Sequence, residues 1–109
     1  MLTLQGSPQS TYGHLGLLNR APSVDEGIYI IQHPGGNPQQ IGYGTVYNTT
    51  ANSNKDLGYY VDTEGGSSGS PVFADTENKV LGLHHYGGCP NSGVKMDLIY
   101  EAIIGYICN

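Results

Sequence analysis

Only four of the 109 residues are basic: Arg20, Lys55, Lys79 and Lys95. Against nine acidic residues they leave a net charge of −5 and no basic patch. That scarcity argues against binding to nucleic acid or to an anionic membrane, both of which call for clustered cations. Long apolar runs are missing too. No stretch is long enough to span a bilayer, and residues 1–20 do not read as a signal peptide. Any targeting signal is expected upstream or already removed. Cysteine is also scarce. Cys89 and Cys108 permit one disulfide at most, and a bridge or two free thiols fit the sequence equally. Cys-x-x-Cys spacing is absent, and neither a metal nor an organic cofactor is expected. A chain of this length makes one small domain with room for one core.

What is abundant points to β structure. The chain has 17 glycines and nine tyrosines, and its apolar runs are short and separated by turn clusters. Gly27–Gln32 reads as a strand that stops at the turn residues 33–38. Further strands are expected over Ile41–Tyr47, Leu57–Val61, Pro71–Ala74, Lys79–His85 and Gly93–Met96. Asn48–Asp56 is polar and reads as a loop, residues 75–78 as a hairpin turn, and residues 87–91 as another turn. At the end the period changes. Ile99, Ala102, Ile103 and Tyr106 recur at helical spacing, with Asp97 as the N-cap of a helix over Leu98–Ile107.

One run carries chemistry: Glu64-Gly65-Gly66-Ser67-Ser68-Gly69-Ser70-Pro71-Val72. A serine that attacks a carbonyl needs its hydroxyl exposed on a tight turn, with backbone N–H groups aimed at the developing oxyanion. Glycines permit that path because they lack a Cβ. Taken alone, the run could be a flexible Gly/Ser linker. The segment Gly65-Gly66-Ser67-Ser68-Gly69 also fits the Gly-x-Ser-x-Gly elbow of α/β-hydrolases, with Ser67 reactive. That elbow must pass from a strand straight into a helix. Pro71 followed by β-favouring Val72 and Phe73 opposes one, and 109 residues are few for that fold.

Gly66-Ser67-Ser68-Gly69-Ser70-Pro71 resembles instead the nucleophile loop of chymotrypsin-fold serine proteases, in particular the bacterial branch of glutamyl and lysyl endopeptidases. Ile30-Ile31-Gln32-His33-Pro34-Gly35-Gly36 and Leu81-Gly82-Leu83-His84-His85-Tyr86-Gly87-Gly88 are similar to that branch as well, so the resemblance covers roughly residues 13–107. It implies that Ser68 is the nucleophile and that the amides of Gly66 and Ser68 form the oxyanion hole. Ser67 stands where many animal members carry an aspartate that pairs with a newly cut N-terminus, which argues against that activation switch. The same resemblance puts Asp62 at the base of the specificity pocket, favouring Lys or Arg, whereas an aspartate here could equally cap the turn through the Thr63 and Glu64 amides. His84 points the other way, because a histidine from this strand binds acidic side chains in glutamyl endopeptidases. It could also be simply hydrogen-bonded in place. His85-Tyr86-Gly87 resembles the segment that pairs with substrate backbone as an added strand. The expected substrate-binding set is therefore Asp62, Thr63, His84, His85, Tyr86 and Gly87, with cleavage preference left open.

The catalytic histidine and aspartate of such proteases come from a first barrel. His14 precedes the first strand, His33 sits in a turn beside Pro34, and His84 and His85 fall on the groove strand, so none is in place as the base. The expected fold is all-β: a six-stranded antiparallel Greek-key barrel, the second half of a double barrel, with a C-terminal helix over 97–108. Residues 1–12 would be a lead-in and 13–109 the barrel domain. The expected function is serine endopeptidase chemistry through an acyl-enzyme, with the triad's His and Asp from an upstream or separate N-terminal barrel and a peptide or protein as substrate. Without that barrel the chain should be close to inactive, since an unassisted serine is a weak nucleophile. The family resemblance also favours secretion. The alternative is a catalytically silent barrel that binds peptide strands or a partner protein.

Overall fold

Alternation builds the first strand. Along Gly27–Gln32, the side chains of Ile28, Ile30 and Gln32 are buried while Tyr29 and Ile31 are only partly covered, the period-two pattern of a sheet with two unlike faces. The computed structural model of the chain describes residues 5–6, 15–61, 63, 67–87 and 90–103. In it this strand, β1, joins β2 (Gln40–Thr50), β3 (Asp56–Tyr60), β4 (Pro71–Ala74), β5 (Lys79–Tyr86) and β6 (Asn91–Lys95). All neighbours are antiparallel, in the order β1-β2-β3-β6-β5-β4, and the sheet closes into a barrel where β4 pairs back onto β1 at Ile28–Ala74 and Ile30–Val72. Closure removes the unpaired edges that an open sheet would present. Among the described residues two α-helices, the single turn α1 (Ala51–Asn54) and α2 (Met96–Ile103), and a 3-10 turn at Pro34–Gly36 complete the fold.

Ile28, Ile30, Val46, Leu57, Val72 and Leu81 fill the barrel, each at most 1% exposed. Each such side chain contributes roughly 1.5–3 kcal/mol by leaving water. A second cluster forms on the outer face, where Phe73, Val80 and Met96 pack with Leu17, Tyr29 and Ile99. Tyr29 lies flat on Phe73 with ring centroids 4.9 Å apart. This cluster holds both the lead-in strand segment, whose Leu18 N–H donates to Val80 (2.9 Å), and α2 against the outside of the sheet.

A charged clamp closes the same region. The Arg20 guanidinium grips Glu26 through both carboxylate oxygens (2.5 and 3.1 Å) and reaches Glu77 on the β4–β5 hairpin at 2.6 Å. Burial alone would push the Glu26 carboxyl up. The Arg20 hydrogen bonds, the Ser23 amide and the attraction of Arg20 outweigh it and hold the group below its ordinary value. Arg20 is partly exposed, so water screens much of the attraction. Arg20→Ala is expected to cost about 1 kcal/mol in urea unfolding, a modest effect for a bidentate pair.

Strands β1 and β4 have the bounds read from sequence, and the 75–78 turn is in place. Three expectations are corrected. The polar stretch 48–56 is not a loop: β2 continues through a bulge at Val46/Asn48 to Thr50, and α1 follows. Asn48 Oδ1 accepts the Thr50 amide and hydroxyl (2.8 and 2.9 Å), so side-chain bonding supports a strand end that apolar patterning does not mark. Strand β6 starts at Asn91, two residues before the expected Gly93, and Met96 belongs to α2. Because α2 starts at Met96, Asp97 lies inside its first turn and is not the N-cap. Its Oδ1 accepts the Leu98 amide at 2.9 Å. The continuation of the helix to residue 108, with Cys108, lies outside the described residues, as do His14 and Cys89.

Candidate active site

The serine run folds into a turn at the mouth of the barrel. Ser70 N–H donates to the Ser67 carbonyl (3.1 Å), which closes a four-residue turn with Ser68 and Gly69 at its corners. Gly69 has φ 88°, the left-handed value that the third residue of a type II turn requires and that favours glycine. Two further bonds pin the turn to β5: Gly69 N–H to the His84 carbonyl (2.8 Å) and His84 N–H to the Ser70 carbonyl (3.0 Å). Ser67 is thereby buried, and Ser68 projects into solvent. Pro71 then opens β4, the strand position where a missing N–H is tolerated. Asp62 and Gly66, with Glu64 and Gly65, lie outside the described residues.

Next to this turn the barrel interior becomes polar. Tyr59 and Asn91 face each other across β3 and β6, both buried. The Tyr59 hydroxyl meets His84 Nδ1 at 2.5 Å. Asn91 uses Nδ2 to hold the Val61 carbonyl, and its Oδ1 accepts the Thr63 hydroxyl at 3.0 Å. Gly87 flanks this pair: a Cβ there would come within 4.0 Å of Thr63 Oγ1 and 3.9 Å of Asn91 Oδ1. Thr63 and Gly87 meet around Asn91, and His84 joins this cluster through Tyr59; the sequence did not single out Tyr59 or Asn91. Tyr59 carried a usable signal. It alternates with Leu57 and Val61 on the inward face, and an inward tyrosine needs a partner for its hydroxyl.

His85 goes elsewhere. Alternation along β5 puts it on the face opposite His84, where Nε2 donates to Asp56 Oδ2 at 2.7 Å. Tyr86 and Gly87 remain exposed at the end of β5. His33 Nδ1 donates to the Asn37 carbonyl at 3.3 Å, a turn-stabilising contact. Among the described residues no hydrogen bond joins a histidine to Ser68. Nor do three His, Cys, Asp or Glu side chains among them gather as metal ligands.

The electrostatics of the inner pair are one-sided. Burial, aided by the neighbouring His85, lowers the His84 pKa below its ordinary 6.5. Burial and the Asp56 charge raise that of Tyr59 above its ordinary value. Both groups are therefore neutral near pH 7. Since unfolding restores His84 to its ordinary affinity for protons, the unfolded chain binds more protons at mildly acidic pH. Stability is full above about pH 6.5 and falls as the pH drops toward the folded-state value. Thermal melts between pH 7.5 and 5 should show this loss, and His84→Gln should flatten it.

A serine raised on a glycine turn at the mouth of a closed six-stranded antiparallel barrel defines a chymotrypsin-like barrel. The chain belongs to the trypsin-like peptidase domain family, whose profile matches residues 2–83. It is similar to secreted RxLR effector protein 73 of Plasmopara viticola, with 42% identity over 77% of this chain and 23% of that protein. It is also similar to glutamyl endopeptidase of Staphylococcus epidermidis, with 32% identity over 81% of this chain and 33% of that protein. The solved structure of a Glu endopeptidase in complex with MPD superposes with a TM-score of 0.75 at 24% identity, covering 90% of this chain and 48% of that one. The serine endoprotease from Yersinia pestis gives a TM-score of 0.71 at 17% identity, covering 84% and 34%; at these identities the likeness is one of fold. The chain spans about a quarter to a third of the curated relatives it matches.

Proposed function

We propose that this chain is the second barrel of a serine endopeptidase, with residues 13–109 as the barrel unit and Ser68 as its nucleophile. The observation that carries the reading is the Ser67–Ser70 turn, which leaves Ser68 exposed and is bonded to β5 at His84, a member of a buried polar cluster. Ser68 would attack the scissile carbonyl, and the Gly66 and Ser68 amides would stabilise the oxyanion. A His–Asp pair from a first barrel, in the same precursor or on a separate chain, would take the serine proton and return it to the leaving amine. Water then releases the acyl group. Exposed Ile41, Tyr43 and Tyr47 on β2, with Tyr60 beside them, support a protein surface of that kind nearby.

Two features favour an acidic side chain in the recess: His84 with Thr63 and Asn91 at its base, and the kinship with glutamyl endopeptidases. The name of the Plasmopara relative supports secretion. No helix among the described residues is long and apolar enough to cross a membrane. The test is fluorophosphonate labelling followed by intact mass, on this chain alone and on a protein that includes a first barrel. Labelling at Ser68 only in the two-barrel protein is the expected result. No labelling in either would sink the enzymatic reading and leave a barrel that binds peptide strands at the exposed Tyr86–Gly87 end of β5.

A further inference from the structure

We infer that Tyr59 is a positioning residue that holds the His84 proton on Nε2, so that the recess offers a substrate acceptor an imidazole N–H. The argument starts from the phenol. Tyr59 is 0% exposed, and its hydroxyl sits 2.5 Å from His84 Nδ1. A buried O–H must place its proton on an acceptor, and among the described residues Nδ1 is the one within reach. If Nδ1 carried a proton instead, two donors would face each other in a site closed to water. The phenol therefore donates, Nδ1 accepts, and the remaining imidazole proton goes to Nε2.

The same contact works against a charged imidazole. Protonating both nitrogens would turn Nδ1 into a donor and leave the Tyr59 hydroxyl without an acceptor. His84 then carries its one N–H on Nε2, in the cluster whose other members are Tyr59, Asn91 and Thr63. An imidazole N–H donates to the oxygen of a carboxylate or amide side chain and cannot accept from an ammonium group. Tyr59 acts through His84 and does not touch substrate. This step rests on the reading of His84 as a pocket residue given above.

The experiment separates the two readings. Two-bond 1H–15N spectra of the imidazoles in the labelled chain report which ring nitrogen carries the proton, whether or not any enzyme activity exists. Native His84 should show a protonated Nε2 and a bare Nδ1. Tyr59→Phe keeps the ring and should move both signals toward the average of exchanging tautomers. In the two-barrel protein, Tyr59→Phe should raise KM for a peptide with Glu before the cut by about three- to tenfold, the worth of one hydrogen bond. The loss should appear in KM and not in kcat, because it is uniform binding that weakens. A proton on Nδ1 in the native chain, an unchanged tautomer in Tyr59→Phe, or an unchanged KM would each overturn the inference. Should Tyr59→Phe fail to fold, the native spectrum decides alone. Ser68 labelling of the native two-barrel protein is scored separately, so a failed protease reading is not mistaken for a failed Tyr59 role.

Discussion

Ser68→Ala in a two-barrel form of the protein is expected to abolish fluorophosphonate labelling and to lower kcat by at least about 10⁴-fold, the scale seen when a triad nucleophile is removed. Three serines crowd the turn, and the structure separates them. Ser67 is 0% exposed, so its hydroxyl is closed to a reagent in bulk water. Ser70 precedes Pro71, and its backbone is tied on both sides, to the Ser67 carbonyl and to the His84 amide. Ser68 alone of the three is exposed, at the outer corner of the turn. Ser67→Ala and Ser70→Ala should therefore still label, with the mass shift on the peptide containing Ser68. Labelling that survives Ser68→Ala but disappears in Ser67→Ala would move the nucleophile by one residue and return the elbow reading. Labelling that survives all three would remove the turn from the chemistry altogether.

The turn was legible because its signal is local. Glycines, a proline and small hydroxyl residues in a fixed order determine a backbone path without reference to the rest of the chain. Strand β1 was legible for a related reason. Its apolar run is cut off by the turn residues 33–38, so β1 shows in sequence with its true limits. Legibility ended where a side chain substitutes for a pattern. The far end of β2 is held by Asn48 and Thr50, and the tie from Lys95 Nζ to the Asn54 carbonyl and side chain (3.0 Å each) comes from a distant strand. The inner cluster was hidden in the same way. Tyr59 meets Asn91 only through the β3–β6 register, and meets His84 only through closure of the barrel. Which of two adjacent histidines faces inward was settled by the register shift at Leu81, opposite Val72/Phe73, and such a bulge leaves no mark in hydrophobic periodicity.

Gly44→Ala is expected to unfold the domain, although alanine is the smallest side chain that could be added. A Cβ at this position would lie 1.8 Å from the Tyr60 carbonyl oxygen and 2.7 Å from Val61 Cγ2. A side chain can rotate away, but the nearer atom belongs to the backbone of β3, which pairs with β2 at Thr45–Tyr60. Relief requires the two strands to separate, and in a closed barrel that strain passes to every neighbouring pair. The cost should exceed about 3 kcal/mol, a large part of the 5–15 kcal/mol that stabilises an ordinary domain. The damage would reach the site as well. The Val61 carbonyl anchors Asn91 Nδ2, and Asn91 in turn holds Thr63, so moving this part of β3 dismantles the recess base. Gly27→Ala is the matched control, since its Cβ would meet Asp75 at an ordinary 3.5 Å. Urea unfolding should show Gly27→Ala within about 1 kcal/mol of the native chain, and Gly44→Ala without a cooperative transition. If Gly44→Ala melts normally, β2 and β3 do not approach this closely. The register that brings Tyr59 to Asn91 would then have to be redrawn.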